Sequence, residues 1–225
     1  MRMKYTPYLL TISSNMPNTQ RFLDSVKEID VEHISVQFKP YYYKEIAYKL
    51  LPFPYPGNLA RFKFVPENLD PNRFLIFTDT DDVIFQKDLP YLDFFDNEIY
   101  VADEHELHKN SYWKSYCDKY SEFKCLLDRT IYNEGCFAMK VFVFYDLIKY
   151  INSRFDYYFP RNIDQLLFNK WLIKWATISS DNSLFSTLYN NINKGFIEKI
   201  DGVWKTKKGE VISVVHGNGS TKNLL

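Results

Sequence analysis

Apolar positions recur along this chain with two different periods, and its first third alternates between them. Tyr8–Ile12 is an apolar run with one Thr inside it, ending in the polar turn Ser13-Ser14-Asn15, as a first strand would. Phe22, Leu23, Val26 and Ile29 then return at helical spacing and predict a helix starting near Thr19. His33–Phe38 alternates and is β-branched, a second strand. Lys44–Leu51 reads as helical until Pro52, Pro54 and Pro56 break the chain, and the PFPYPG stretch predicts a rigid turn into a second helix near Asn58. Phe74–Phe77 is apolar at every residue, as expected of a strand covered on both faces of a largely parallel sheet. A β-α-β-α-β order of this kind predicts an open, doubly wound α/β fold.

The second half is less regular. Ile99–Ala102 and Cys136–Met139 predict short strands, Val141–Ile151 and Ile163–Trp175 helices, and Val211–Val215 a final strand. No internal repeat, low-complexity tract or linker divides the chain, so residues 1–225 are expected to form one domain.

Composition narrows the class. With 225 residues, 46% hydrophobic and 25% charged, the chain can bury one sizeable core, which excludes disorder. Lys+Arg and Asp+Glu each total 28, so bulk electrostatic binding of nucleic acid is disfavoured. Three cysteines, Cys117, Cys125 and Cys136, are odd in number and form no CxxC, which points to a reducing compartment. His105, His108, Cys117 and Cys125 match no common zinc spacing. The N-terminal apolar run is broken too soon for a signal peptide, and no segment has the length of a membrane span. A soluble, cytoplasmic protein is expected. Charge is nevertheless uneven: residues 79–106 hold ten acids against one Lys, and residues 194–225 six Lys against three acids. A cation and a polyanion between these two regions would match that asymmetry.

The acidic region begins with FLIFTDTDDVIF, residues 74–85. Asp79, Asp81 and Asp82 follow a buried strand at its carboxyl end, where α/β sheets place their ligands. Such crowding of like charge is unfavourable unless a cation joins it. A hard divalent ion, able to bridge protein carboxylates to phosphates, resolves the repulsion; an acidic surface turn would leave a similar pattern. At the other end, VVHGNGSTK places His216, Gly217, Gly219 and Lys222 after a strand. Two glycines allow backbone N–H groups to converge on an anion, and Lys222 adds a charge for a phosphate. His216 as a nitrogen ligand beside carboxylates suits manganese better than magnesium. Tyr112, Trp113 and Tyr116 have the spacing either of a core stripe or of an aromatic platform for a glycan.

In this order, the strand, the Asp79-Thr80-Asp81 motif and the terminal His-Gly-x-Gly-x-x-Lys resemble a metal-dependent glycosyltransferase of the GT-A fold. Within that fold the chain is most similar to the glycogenin-like family and to the glycosyltransferase domain of procollagen lysyl hydroxylases. LLTISSN, QRFLDSV, LARFKFVPENL, FTDTDDVI, YNEGCFAM, IDQLLFN and VVHGNGSTK carry the likeness from about Tyr8 to Lys222. It implies a single Rossmann-like GT-A domain with a central, mostly parallel sheet flanked by helices. It also implies a UDP-sugar donor, Mn2+ or Mg2+, and retention at the anomeric carbon. Asp79, Asp81 and His216 would be the metal ligands, although collagen-modifying relatives space their acids as DxxD, which would select Asp82 in place of Asp81. Arg61 matches an arginine facing the donor. Asn133 and Gly135 fall where the family positions acceptor and donor sugar, with Glu134 where a small residue is usual. Asp164 and Gln165 match the Asp-Gln pair at the reacting face, and Ser13, Thr80, Gly217, Gly219 and Lys222 complete the donor-binding set. The acceptor, whether glycan, protein or small molecule, is left open. Two rivals explain parts of the pattern: a haloacid-dehalogenase-like phosphotransferase using Asp79 as nucleophile, and a catalytically silent nucleotide-sugar-binding protein.

Overall fold

The all-apolar strand lies at the centre of the protein. The computed structural model describes residues 6–14, 19–38, 57–89, 99–158, 163–175 and 178–225. The predicted helix over 44–51 and the prolines at 52–56 fall outside these residues.

Strands β1 (Tyr8–Ser14), β2 (Glu32–Phe38) and β3 (Phe74–Thr78) alternate with helices α1 (Gln20–Val26) and α2 (Gly57–Arg61). After β4 (Val83–Phe85) come β5 (Ile99–Leu107), α3 (Lys114–Lys119), β6 (Thr130–Lys140), α4 (Val141–Asn152), α5 (Phe155–Tyr158), α6 (Asp164–Leu172) and β7 (Ile178–Ser179). The described chain continues through β8 (Phe185–Thr187), α7 (Leu188–Asn193), β9 (Ile197–Ile200), β10 (Val203–Thr206) and β11 (Val214–His216), and a 3-10 turn spans Gly219–Leu224.

The main sheet has six strands in the order β2-β1-β3-β6-β5-β7. Five of them run in one direction and β6 alone runs against them, so the sheet is mostly parallel. Because side chains alternate across a strand, β3 feeds two cores. Leu75 and Phe77 pack with α4 and α6, while Phe74 and Ile76 pack with α1. The high aromatic content has a structural use here: Phe62, Phe77, Phe137 and Phe168 form a continuous stack with centroids 5.7, 5.1 and 5.0 Å apart. That stack ties the turn after α2 through β3 and β6 to α6, and so holds Arg61 and the start of α6 at one end of the sheet.

Several elements differ from the sequence expectation. The two strands predicted as short are long, and they meet through two register breaks. Val101 pairs with Phe137 but Ala102 pairs with Asn133, so Glu134, Gly135 and Cys136 bulge from β6. Beyond them Asp103 pairs with Tyr132 and Leu107 with Thr130, so Glu104, His105 and Glu106 bulge from β5. A bulge interrupts period-2 patterning, which is why alternation captured only the regular halves of these strands. The final strand is β11 rather than Val211–Val215; Val211 makes only an isolated bridge to Lys205. β11 leaves the main sheet altogether and lies between β4 and β8, antiparallel to the first and parallel to the second. All three cysteines are free thiols. Among the described residues no helix is long and apolar enough to cross a membrane.

Candidate active site

Backbone pairing on both sides of the acidic loop fixes its position. β3 ends at Thr78, and the Asp79 N–H donates to the Gly135 carbonyl at 2.8 Å. The chain then turns out of the main sheet into β4, whose first residue, Val83, pairs with His216 of β11. This register puts Asp82, 3% exposed, beside His216, 4% exposed, and the Gly217 N–H donates to the Asp82 carbonyl at 2.7 Å. His216 Nε2 lies 3.3 Å from Asp82 Oδ1 and 3.7 Å from Asp79 Oδ2. One ligand atom from each of Asp79, Asp82 and His216 falls within 4.8 Å of the others, a spacing suited to one metal ion. Asp81 does not join them: its side chain is exposed, and its carbonyl accepts from Arg21 at 2.8 Å. The structure therefore brings together the DxxD pair, not the DxD pair favoured from the motif, because the strand pairing after the turn points Asp82 inward. Thr80 is buried, and its carbonyl accepts from Thr19, the N-cap of α1, at 3.0 Å.

Charge in this cluster is arranged as an ion pair. Burial pushes the Asp82 carboxyl up, but hydrogen bonds and charge from His216 and Lys222 outweigh it and hold it at about 2. Burial pushes His216 down, yet its bond to Asp82 and the charges of Asp82, Asp79 and Glu104 leave it above the ordinary imidazole value. Lys222 Nζ is 2.6 Å from Asp82 Oδ2. The terminal loop thus serves the acidic loop directly. Gly217 gives its N–H to Asp82 rather than holding it ready for an anion, contrary to the expectation for converging glycine amides. A Cβ on Gly217 would sit 2.9 Å from Leu225 and 3.2 Å from the Lys222 backbone. Gly219 opens the turn that carries Lys222.

The β6 bulge supplies the wall opposite. Asn133 Oδ1 accepts from His216 Nδ1 at 2.8 Å and from the Gly135 N–H at 2.9 Å. Gly135 is required by close approach: a Cβ there would lie 2.5 Å from His216 Cε1 and 2.7 Å from Asp79 Oδ2. Gly135→Ala must displace one of these two groups, at an overpacking cost of about 1–3 kcal/mol. The variant is expected to fold and to lose at least about tenfold in Mn2+ affinity, the lower end of what misoriented ligands cost. Calorimetry with Mn2+ beside a thermal melt checks this, and unchanged affinity would refute the packing explanation.

Arg61, at the end of α2, is buried and bonds both Asp79 and Glu134; its guanidinium is 3.8 Å from Asp164 Oδ2 and lies over the Phe77 ring at 4.8 Å. Burial would push Arg61 down, but Glu134, Asp79 and Asp164 together raise it, so it stays charged. One cation cannot neutralise three acids, of which Glu134 and Asp164 are buried. Burial accordingly pushes Glu134 well up and Asp164 up, against the lowering influence of Arg61. Glu134, expected only as a departure from the family pattern, is thus the central partner of Arg61. Asp164 and Gln165 are the first two residues of α6, and the N-cap is Ile163, so neither side chain is taken up by capping. Gln165 Nε2 donates to Glu104 Oε1 at 3.4 Å, and Asn133 Nδ2 donates to the same oxygen at 2.8 Å.

Glu104 was not legible as a site residue: it stood in an acidic run, and only the β5 bulge turns it inward. Ser13, half-buried near the end of β1, pairs in register with Gln37. The zinc combination does not assemble, since His108 Nδ1 bonds the Arg129 carbonyl at 2.9 Å and His105 Nε2 meets Asn182 at 2.7 Å. Of the aromatic trio, Tyr112 is 72% exposed, while Trp113 and Tyr116 pack partly against the core.

The architecture, a mostly parallel sheet flanked by helices with this acid–imidazole cluster at the carboxyl end of β3, matches that of GT-A glycosyltransferases. No protein-family model and no curated protein sequence matches the chain, but solved structures do. The galactosyltransferase LgtC, solved with donor and acceptor sugar analogues, matches with a TM-score of 0.52 and 9% identity, over 94% of this chain and 87% of its own. Mouse xyloside xylosyltransferase 1 matches with a TM-score of 0.50 and 12% identity, over 96% and 99%. The bifunctional glycosyltransferase WbbM gives 0.55 and 10%, over 97% of this chain but 47% of that one. At such identities the likeness establishes the fold.

Proposed function

We propose that this protein is a glycosyltransferase that moves a sugar from a UDP-linked donor onto an acceptor, using a divalent ion held by Asp79, Asp82 and His216. The observation that carries the reading is the convergence of those three side chains at the carboxyl end of β3. Their donor set fits such an ion: two carboxylates and an imidazole face one point, and Gly135 keeps that point clear of a side chain. Mixed oxygen and nitrogen donors favour manganese over magnesium. Asp79, Asp82 and His216 would hold the ion, which would supply Lewis acidity toward the diphosphate leaving group.

The remaining roles belong to the chain itself. Lys222, already beside Asp82, adds positive charge at the leaving phosphate. Asp164 Oδ2 and Arg61 Nε are buried and lack hydrogen-bond partners among the described residues. Buried polar atoms of this kind are ordinarily satisfied, and a sugar hydroxyl can both donate to the first and accept from the second. Gln165 and Asp164 would then lie along the reacting sugar. The resemblance to the glycogenin-like and procollagen-modifying enzymes supports retention, and the three free thiols support a reducing, cytoplasmic setting. The acceptor, a glycan, protein or small molecule, would meet the exposed face.

The direct test is UDP release from UDP-glucose, UDP-galactose and UDP-xylose in Mn2+ and in chelator. Release in Mn2+ alone is expected. UDP binding without turnover would indicate a silent binding protein. Phosphate release from a phosphomonoester, with no UDP release, would support the phosphotransferase reading. The raised His216 value adds a pH signature. The imidazole must be unprotonated at Nε2 to take a metal, so its proton competes with the ion below that value. Mn2+ affinity should therefore hold at alkaline pH and fall, approaching about tenfold per unit, as pH drops through the His216 titration. Affinity that rises on acidification would contradict the assignment of His216.

A further inference from the structure

The bulge in β5 is built under strain. His105 adopts φ 51°, left-handed backbone that non-glycine residues seldom take. Local bonds hold it there: its N–H donates to Asp103 Oδ1 at 2.5 Å, and its ring meets Asn182 at 2.7 Å. Thr130, across the strand pair, also donates to Asp103 Oδ1, at 3.0 Å. The result is that Glu104, the residue just before, turns into the protein and is 7% exposed. Strain and bulges of this sort collect where a side chain must be re-aimed.

Glu104 aims at two amides. Its Oε1 accepts from Asn133 Nδ2 at 2.8 Å and from Gln165 Nε2 at 3.4 Å. The other end of the Asn133 amide meets two groups, the Gly135 N–H and His216 Nδ1. A backbone N–H can only donate, so that end is the amide oxygen, and the amide nitrogen faces Glu104. An amide oxygen can only accept, so His216 must carry a proton on Nδ1. A neutral His216 then presents the Nε2 lone pair to the point shared by Asp79 and Asp82.

We propose that Glu104 is the positioning residue of this site: through Asn133 it sets the His216 tautomer that can bind a cation, and from the same oxygen it orients Gln165. The inference rests on the cation reading of Asp79, Asp82 and His216. Partners that orient a ligating histidine commonly change metal affinity by about 10–100-fold. Without an acceptor at position 104, Asn133 Nδ2 is buried unpaired, and the amide leaves its orientation to find another partner.

The test uses the full chain labelled with 15N-histidine, metal-free and in mildly alkaline buffer so that the rings are neutral. With four histidines in the chain, His216 is assigned by the signals missing from His216→Ala. Long-range proton–nitrogen spectra read the tautomer, and Mn2+ alone is titrated in parallel by electron paramagnetic resonance. The wild type and Glu104→Gln, which keeps an accepting oxygen, should show Nδ1–H and Mn2+ affinities within about threefold of each other, well inside the effect of a lost orienting partner. Glu104→Leu should show mixed tautomers and Mn2+ affinity lower by about 10–100-fold. Should Glu104→Leu fail to fold, Glu104→Asp, one methylene too short to reach both amides, should show the same shift in smaller measure. An unchanged tautomer and affinity in the folded Leu or Asp variant, or an Nε2–H wild type, would overturn the proposal. A wild type that binds no Mn2+ would sink the cation reading instead, while the tautomer comparison still decides the role of Glu104.

Discussion

Asp82→Asn is expected to lower Mn2+ affinity by at least about a hundredfold, whereas Asp81→Asn should change it by less than about threefold. Removing a partner that only orients a metal ligand costs about 10–100-fold, so losing a direct carboxylate should reach or pass the upper figure. The two aspartates are adjacent and chemically identical, so their environments alone separate them. Asp82 is buried against His216 and Lys222, and its carboxyl is held at about 2, so its charge is fully present. Asp81 is exposed to solvent, where water and salt screen its charge. Asn is nearly isosteric with Asp, so both variants should fold, which circular dichroism can verify. UDP binding measured in Mn2+ should show the same split. A larger loss in Asp81→Asn would return the DxD register and show that the loop rearranges when the ion arrives.

Lys222→Gln is expected to lower turnover of a UDP-sugar by about a hundredfold, the scale of one lost charge-stabilising group, with a smaller loss of UDP affinity. The asymmetry comes from timing. A cation near the leaving phosphate matters most when that phosphate acquires its full charge, which happens in the transition state rather than on binding. The structure adds a second expectation that the sequence could not. Lys222 pairs with Asp82 at 2.6 Å, although its side chain is 55% exposed. Its partner Asp82 is buried, however, so removing the lysine takes one cationic partner from a buried carboxylate, and the melting temperature should fall, by less than the loss of a fully buried pair would cause. The lysine also competes with an incoming ion for Asp82, so Mn2+ affinity in Lys222→Gln should stay level or rise. Turnover and Mn2+ affinity moving in opposite directions would be hard to explain by general damage. Near-normal turnover would reduce the terminal loop to an ordinary turn.

Much of the frame was legible because it rests on local chemistry. A run as short and apolar as Phe74–Phe77 suits a strand buried on both faces, which it is, and acids placed directly after such a strand fall at the sheet's carboxyl end. Phe22 and Val26, spaced for one helical face, are buried where that spacing puts them. The residues that needed two distant segments were less legible. Arg61 was expected to face a donor; it meets three carboxylates drawn from the loop after β3, from β6 and from α6, a partnership no local pattern encodes.

The sequence by itself determined the α/β alternation, the acidic loop at the end of β3, and the glycine-bent terminus that carries His216 and Lys222. Each comes from periodicity or from residue types within a few positions of one another. Only the tertiary structure puts Asp82 rather than Asp81 beside His216, because that placement depends on Val83 pairing with His216, residues far apart in the chain. It alone revealed Glu134 as the central partner of Arg61 and Glu104 as a buried acceptor. Both acids stand in bulges, and a bulge arises from how two strands meet, so neither strand's own pattern announces it.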